Sequence, residues 1–140
     1  MTEQAQDLAW SDLVIGREET FSFSFDAAQL DAYARLSGDW NPIHHDAEFA
    51  GRGGFSAPVV YGGLVVTQIS RLVGMRMPGL HALWTGINLR FRRPLLVDEV
   101  AELRARITRR IASVQAIEMA IQVKAQGKII ASGDAQAMVR

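Results

Sequence analysis

The chain opens its regular pattern at Phe21, Phe23 and Phe25, which alternate with Thr20, Ser22 and Ser24. A period of two predicts a strand with one buried face. Asp26 follows as a plausible N-cap, and Ala27 to Leu36 reads as a helix with Leu30, Tyr33 and Ala34 on one face, stopped by Ser37-Gly38. From Val59 to about Met75 the apolar residues Val59, Val60, Tyr61, Leu64, Val65, Val66, Ile69, Leu72 and Val73 cover almost the whole circumference. Such a helix is buried rather than amphipathic, and Pro78-Gly79 ends it.

Four alternating runs follow. Ile87, Leu89 and Phe91 oppose Asn88, Arg90 and Arg92, and Ala101, Leu103, Ala105 and Ile107 oppose Glu102, Arg104, Arg106 and Thr108. Ile117, Met119, Ile121 and Val123 oppose Glu118, Gln122 and Lys124, and Ile129, Ala131, Ala135 and Ala137 oppose Ser132, Asp134 and Gln136. Short turns such as Gln126-Gly127-Lys128 predict antiparallel neighbours. The expected architecture is α+β, a curved antiparallel sheet of about five strands wrapped around one long central helix. Its edge strand would be exposed, and pairing edges across a two-fold axis is a common remedy, so a homodimer is expected.

Residues 37–57 break all periodicity, with glycines at 38, 51, 53, 54 and just beyond at 62, and prolines at 42 and 58. A loop that long inside a small domain is more often functional than idle. His45 to Ala50 reads as a short helical turn within it.

Composition narrows the picture by exclusion. At 140 residues, 49% apolar and 21% charged, the chain has the make-up of one folded domain spanning 1–140, with residues 1–10 expected as a flexible leader. Fifteen Lys+Arg balance fifteen Asp+Glu, so overall charge would not drive binding to nucleic acid or an anionic membrane. The apolar stretch from Pro58 to Ile69 is too short to span ~30 Å of hydrocarbon, so neither a membrane nor a nucleic acid is an expected partner. The absence of cysteine removes disulfides, thiolate nucleophiles and Cys-based metal sites, and fits the cytoplasm.

The concentrated polar residues lie at Ser37-Gly38-Asp39-Trp40-Asn41-Pro42-Ile43-His44-His45-Asp46. On a helix Asp39 and His44 would stand ~140° apart, but Pro42 pushes Asn41 out of the helical region and hooks the chain. A hooked loop can aim both side chains at one water, with imidazole near ~6.5 and carboxyl near ~3.9 as adjustable bases. Burial beside the apolar helix would raise the carboxyl. Asn41 and Asp46 are candidates for Asx-type turns, and turn formation alone accounts equally well for these residue types. His44-x-Asp46 with His81 has the composition of a 2-His-1-carboxylate metal triad, although no feature brings His81 near.

This segment resembles the MaoC-like branch of the hot dog superfamily, the (R)-specific 2-enoyl-CoA hydratases and their dehydratase relatives. Residues Ser37 to Asp46 match the pattern S-G-D-x-N-P-[IL]-H-x-D throughout. Gly54-Phe55 and Pro58-Val59-Val60-Tyr61-Gly62 match the following Gly-Phe and P-[IV]-x-H-G elements except at Tyr61, where the family usually carries His. Phe91-Arg92-Arg93-Pro94 matches a later F-x-x-P, whereas Leu95-Leu96-Val97-Asp98-Glu99 lacks the Gly-Asp turn of the family. The resemblance spans about residues 20–138 and implies the hot dog fold. It also implies water addition across, or removal from, an acyl thioester by Asp39 and His44, with the Gly62 N–H on the thioester oxygen. A helix N-terminus suits that oxygen, because attack at the β-carbon develops negative charge there.

Asn41, Tyr61 and Ser70 are further expected oxyanion or substrate-binding positions, Ser70 because some relatives carry a serine there. No cofactor is expected beyond the coenzyme A or acyl carrier of the substrate. A homodimer or dimer of dimers is the expected assembly, and fatty acid metabolism the expected setting. Arg90, Arg92, Arg93, Arg104, Arg106, Arg109 and Arg110 suit coenzyme A phosphates, but a solvated sheet face balanced by Glu99, Glu102 and Glu118 is the favoured reading. Two other functions remain open: a hot dog thioesterase, and a non-catalytic acyl-thioester-binding protein.

Overall fold

The computed structural model describes residues 2–140. A five-stranded antiparallel sheet is built from β1 (Glu18–Phe23), β2 (Ala82–Phe91), β3 (Ala101–Ile111), β4 (Ala116–Ala125) and β5 (Lys128–Val139). The strand order is β1-β3-β4-β5-β2. Three helices stand beside it: α1 (Ala27–Ser37), α2 (Ala47–Arg52) and α3 (Gly62–Arg71), the last extended by a π-helical turn over Leu72–Arg76. The α+β layout and the antiparallel pairing are as the patterning predicts.

Alternation explains which face is dry. Leu103, Ala105 and Ile107 of β3 and Ile117, Met119 and Val123 of β4 are fully buried, as are Ile69 and Leu72 of the central helical segment. Each such Leu or Ile contributes roughly 1.5–3 kcal/mol by leaving water, so this seam holds the helix in the curve of the sheet.

Four details depart from the sequence reading. Consecutive strands are not always neighbours: β2 pairs with β5, because residues 92–100 carry the chain across to the other side of the sheet. The expected inward set Ile87, Leu89 and Phe91 lies on this edge strand, where Ile87 is 40% and Phe91 52% exposed while Leu89 packs against the core. In β5 the residue turned inward is Ile130 rather than Ile129. The pairing passes from Val123↔Ala131 to Lys124↔Ile129, which makes Ile130 an extra, bulged residue. The central helix starts later than expected, because Val59 and Val60 are extended: Val59 bridges Leu96 and Val60 N donates to Leu95 O at 2.8 Å.

The N-terminal segment lies against the end of the central helical segment. The wide π turn leaves Met75 O for Gln6 N at 2.9 Å, and Leu80 N donates to Gln6 O at 2.9 Å. Glu3 pairs with Arg71 at 3.1 Å and with Arg76, while Leu8 and Trp10 pack on the core. Gly79, with φ of 88°, admits this strap, since a Cβ there would lie 2.3 Å from Gln6 O.

Candidate active site

Short side-chain-to-backbone bonds shape the loop that follows α1. Gly38 ends the helix in the left-handed region at φ of 80°. Ser37 Oγ then accepts from Asp39 N at 3.1 Å, Asp39 Oδ1 from Asn41 N at 3.1 Å, and Asn41 Oδ1 from Ile43 N at 3.0 Å. Pro42 opens a 3-10 turn over Pro42–His44, and Asp46 caps α2 by accepting from Glu48 N and Phe49 N. Each oxygen does in two residues what a backbone turn would need a longer loop to do. Turn formation therefore accounts for Asn41 and Asp46, and for one of the two oxygens of Asp39.

His44 is set differently. Its Nδ1 lies 2.5 Å from Val59 O, and Val59 N donates to Ile43 O at 3.0 Å. A carbonyl oxygen only accepts, so Nδ1 carries the hydrogen and a neutral ring presents a bare Nε2. The extended Val59 thus fixes the tautomer that a general base needs.

His44 and Gly62 line one cleft of about 440 Å3. Its apolar wall includes Val65, Leu95 and the bulged Ile130, and Arg92 and Arg93 line it as well. The backbone N–H groups of Arg92 and Arg93 donate to Ile130 O, at 2.7 and 3.2 Å, so the bulge positions the arginine pair and the apolar wall together. Gly62 opens α3, which has no side-chain cap at Tyr61. The first amides of a helix have no intrahelical acceptor, so this end of α3 offers donors and the positive end of its dipole. The Phe91 ring closes over Gly62, and a Cβ there would stand 3.1 Å from its Cζ.

The structure brings some expected residues together and separates others. Asp39 is exposed and does not line the His44–Gly62 cleft, so the burial expected beside the helix does not occur in the single chain. Tyr61 is not a pocket-wall residue: its hydroxyl lies 2.5 Å from Asp39 O and 2.5 Å from His45 Nε2, behind the cleft. Burial first, then the Asp39 and Asp31 carboxylates and Tyr33, push the Tyr61 hydroxyl above its ordinary range, so it keeps its proton. Ser70 is exposed on α3 and lines no part of the cleft, because it falls on the face turned from the sheet. His81 bonds Asp7 at 2.9 Å and does not join His44 and Asp46; no metal-holding cluster occurs among the described residues. Of the arginines, Arg109 pairs with Glu118 and Arg110 stacks on Trp10, leaving Arg92 and Arg93 at the cleft.

Sequence reasoning missed His45, Asp31, Tyr33 and Ile130. His45 stood at a variable position of the motif, and its signal was a second imidazole beside a changed Tyr61. Nothing in the local sequence marks the bulge at Ile130.

A family profile described as MaoC like domain matches residues 13–129. An (R)-specific enoyl-CoA hydratase of Aeromonas caviae is 39% identical over 89 residues, which are 63% of this chain and 66% of that protein. A 3-hydroxybutyryl-CoA dehydratase of Methylorubrum extorquens is 25% identical over 135 residues, 96% of this chain and 86% of its own length. The solved (R)-hydratase of A. caviae superposes with a TM-score of 0.88 at 29% identity, covering 91% of this chain and 98% of that one. (R)-hydratase PhaJ1 of Pseudomonas aeruginosa gives 0.87 at 27% identity, covering 93% and 84%. Fold and matches define a hydro-lyase with the hot dog architecture. The chain belongs to the MaoC-like dehydratase family.

Proposed function

We propose that this chain adds water to trans-2-enoyl thioesters, and removes it from (R)-3-hydroxyacyl thioesters, using His44 and Asp39. The observation that carries the reading is the His44 Nδ1–Val59 O bond, which leaves Nε2 bare on a residue that lines the same cleft as Gly62. His44 Nε2 takes a proton from water as the water oxygen bonds to the β-carbon. The double-bond electrons move onto the thioester oxygen, where the Gly62 N–H meets the developing charge. His44 then returns that proton to the α-carbon, with the Asp39 carboxylate assigned to hold the water, and the bases return to their starting state. The apolar wall at Val65, Leu95 and Ile130 receives the acyl chain, and Arg92 and Arg93 suit the phosphates of the carrier.

No cofactor is called for. The exposed Leu83, Ile87 and Phe91 on the β2 edge support a second copy of the chain as the partner, in a dimer or dimer of dimers. A cysteine-free chain fits a reducing compartment, and we place it in the cytoplasm. The test is loss of the conjugated absorbance of crotonyl-CoA and longer enoyl-CoA substrates. His44→Ala and Asp39→Asn are each expected to lower kcat ~10²–10⁴-fold. Release of free thiol instead would assign a thioesterase, and equal rates in wild type and Asp39→Asn would remove Asp39 from the mechanism.

A further inference from the structure

Behind the cleft, three side chains that the hydration step does not use are joined to both catalytic residues. Tyr61 is 2% exposed, and its ring stacks on His44 with centroids 3.7 Å apart at 23°. Its hydroxyl reaches Asp39 O and His45 Nε2, each at 2.5 Å. On the far side of the imidazole, His45 Nδ1 lies 3.0 Å from Asp31 Oδ1 of α1. Thus a single aromatic residue touches the main chain of one catalytic residue and the ring of the other.

We propose that Tyr61 and His45 are positioning residues of this site: Tyr61 holds the Asp39 backbone and the His44 ring in one geometry, and His45, anchored by Asp31, directs the Tyr61 hydroxyl onto Asp39 O. The inference rests on the hydration reading of the same site.

The donor count gives it a direction. A tyrosine hydroxyl has one hydrogen to donate. With hydrogen on both ring nitrogens, His45 donates to Asp31 and to Tyr61, and the hydroxyl is free to donate to Asp39 O. With Nε2 bare, His45 becomes a second acceptor for the same hydrogen, and the Asp39 carbonyl loses its donor whenever the ring takes it. The groups facing His45 are Asp31 from α1, Tyr61 from the start of α3, and Trp40 and His44 from its own loop, with ring centroids 5.4 and 6.4 Å away. Asp39 lies beyond Tyr61. The adjacent imidazoles thus have opposite parts: His44 presents a bare Nε2, and the Nε2 of His45 serves as a donor to the Tyr61 hydroxyl.

Tyr61→Phe keeps the stacked ring and deletes the hydroxyl, while His45→Leu deletes both polar contacts. Each is expected to lower kcat about tenfold with KM within about twofold, the size of one hydrogen bond. The double variant should fall no further than Tyr61→Phe, because His45 acts through the hydroxyl. His45→Gln places a permanent donor where Nε2 stands, and should rescue most of the His45→Leu loss. Additive losses, losses in KM alone, or no rescue by His45→Gln would overturn the proposal. The chain has three histidines, so imidazole nitrogen spectra read the network without turnover. Signals of His44 and His45 identical in wild type and Tyr61→Phe would also overturn it. A wild type inert toward every enoyl thioester defeats the hydration reading separately, and the spectra still decide the positioning. Should Tyr61→Phe fail to fold, the two His45 variants and their spectra carry the decision.

Discussion

The two longer helices begin in opposite ways. At the start of α1, Asp26 Oδ1 accepts from Gln29 N at 2.8 Å and Gln29 Oε1 accepts from Asp26 N at 2.9 Å, so the reciprocal capping box is closed. At the start of α3, Tyr61 gives no side-chain cap, and Gly62 and Gly63 occupy the first turn. The Tyr61 side chain turns away to Asp39 O and His45 instead. The capped end is finished and faces solvent; the uncapped end borders the cleft lined by His44. An N-cap contributes about 1 kcal/mol to stability, and α3 forgoes it. Burial of Leu64, Val65 and Ile69 offsets the loss, since each buried aliphatic side chain contributes more than a cap.

Among substitutions at the two helix starts, Gly62→Pro should have the largest effect. Tyr61 has φ of −57° and ψ of 134°, which suits the residue before a proline, and proline fits the first helical position. The helix survives and one donor goes, so kcat should fall ~10²–10³-fold. Gly62→Ala meets the same Phe91 ring but keeps the N–H, and the gap between the two variants isolates the donor. Equal rates in both would erase the functional side of the contrast.

Next comes Gly63→Ala. A Cβ there would lie 1.8 Å from the Tyr33 hydroxyl, and Tyr33 packs against Tyr61 with centroids 4.6 Å apart. Overpacking should lower stability by ~1–3 kcal/mol and disturb the Tyr61 ring, read by denaturant midpoint. Asp26→Ala opens the α1 box and should cost about 1 kcal/mol, or roughly 3 °C in Tm, with kcat unchanged.

The smallest effect concerns the far end of α3, where Arg71 and Arg76 hold the Glu3 carboxyl below its usual range. A lowered carboxyl stabilises the fold above its ordinary pKa, and that contribution is lost as pH falls through the lowered one. The Tm difference between wild type and Glu3→Gln should therefore be positive near neutrality and close in acid. A difference that grew in acid would show that Glu3 does not tie the strap to the helix.

Much of the fold was legible because period and burial coincide in it. Phe21 and Phe23, Leu103 to Ile107, and Ile117 to Val123 are buried in the alternation that the sequence shows. Asp26 capped where a capping residue was expected, and Asn41 and Asp46 formed the expected short turns. Legibility stopped where partners are distant in sequence. Ile130 reads as an outward residue until the register with β4 inserts it as a bulge. Tyr61 reads as a pocket residue until Asp39 O, 22 positions earlier, is found against its hydroxyl.

The sequence by itself determined the element types, the hook at Pro42 and the family, because these depend on local sterics, on alternation and on a ten-residue motif. Tertiary structure alone decided that β2 joins β5, that His44 donates to Val59 O, and that Tyr61 and His45 face the loop rather than the cleft. The physical reason is range. A turn or a strand pattern is settled by neighbours a few residues apart. A hydrogen bond across 15 or 22 positions exists only after the core has closed and brought its donor and acceptor within 3 Å.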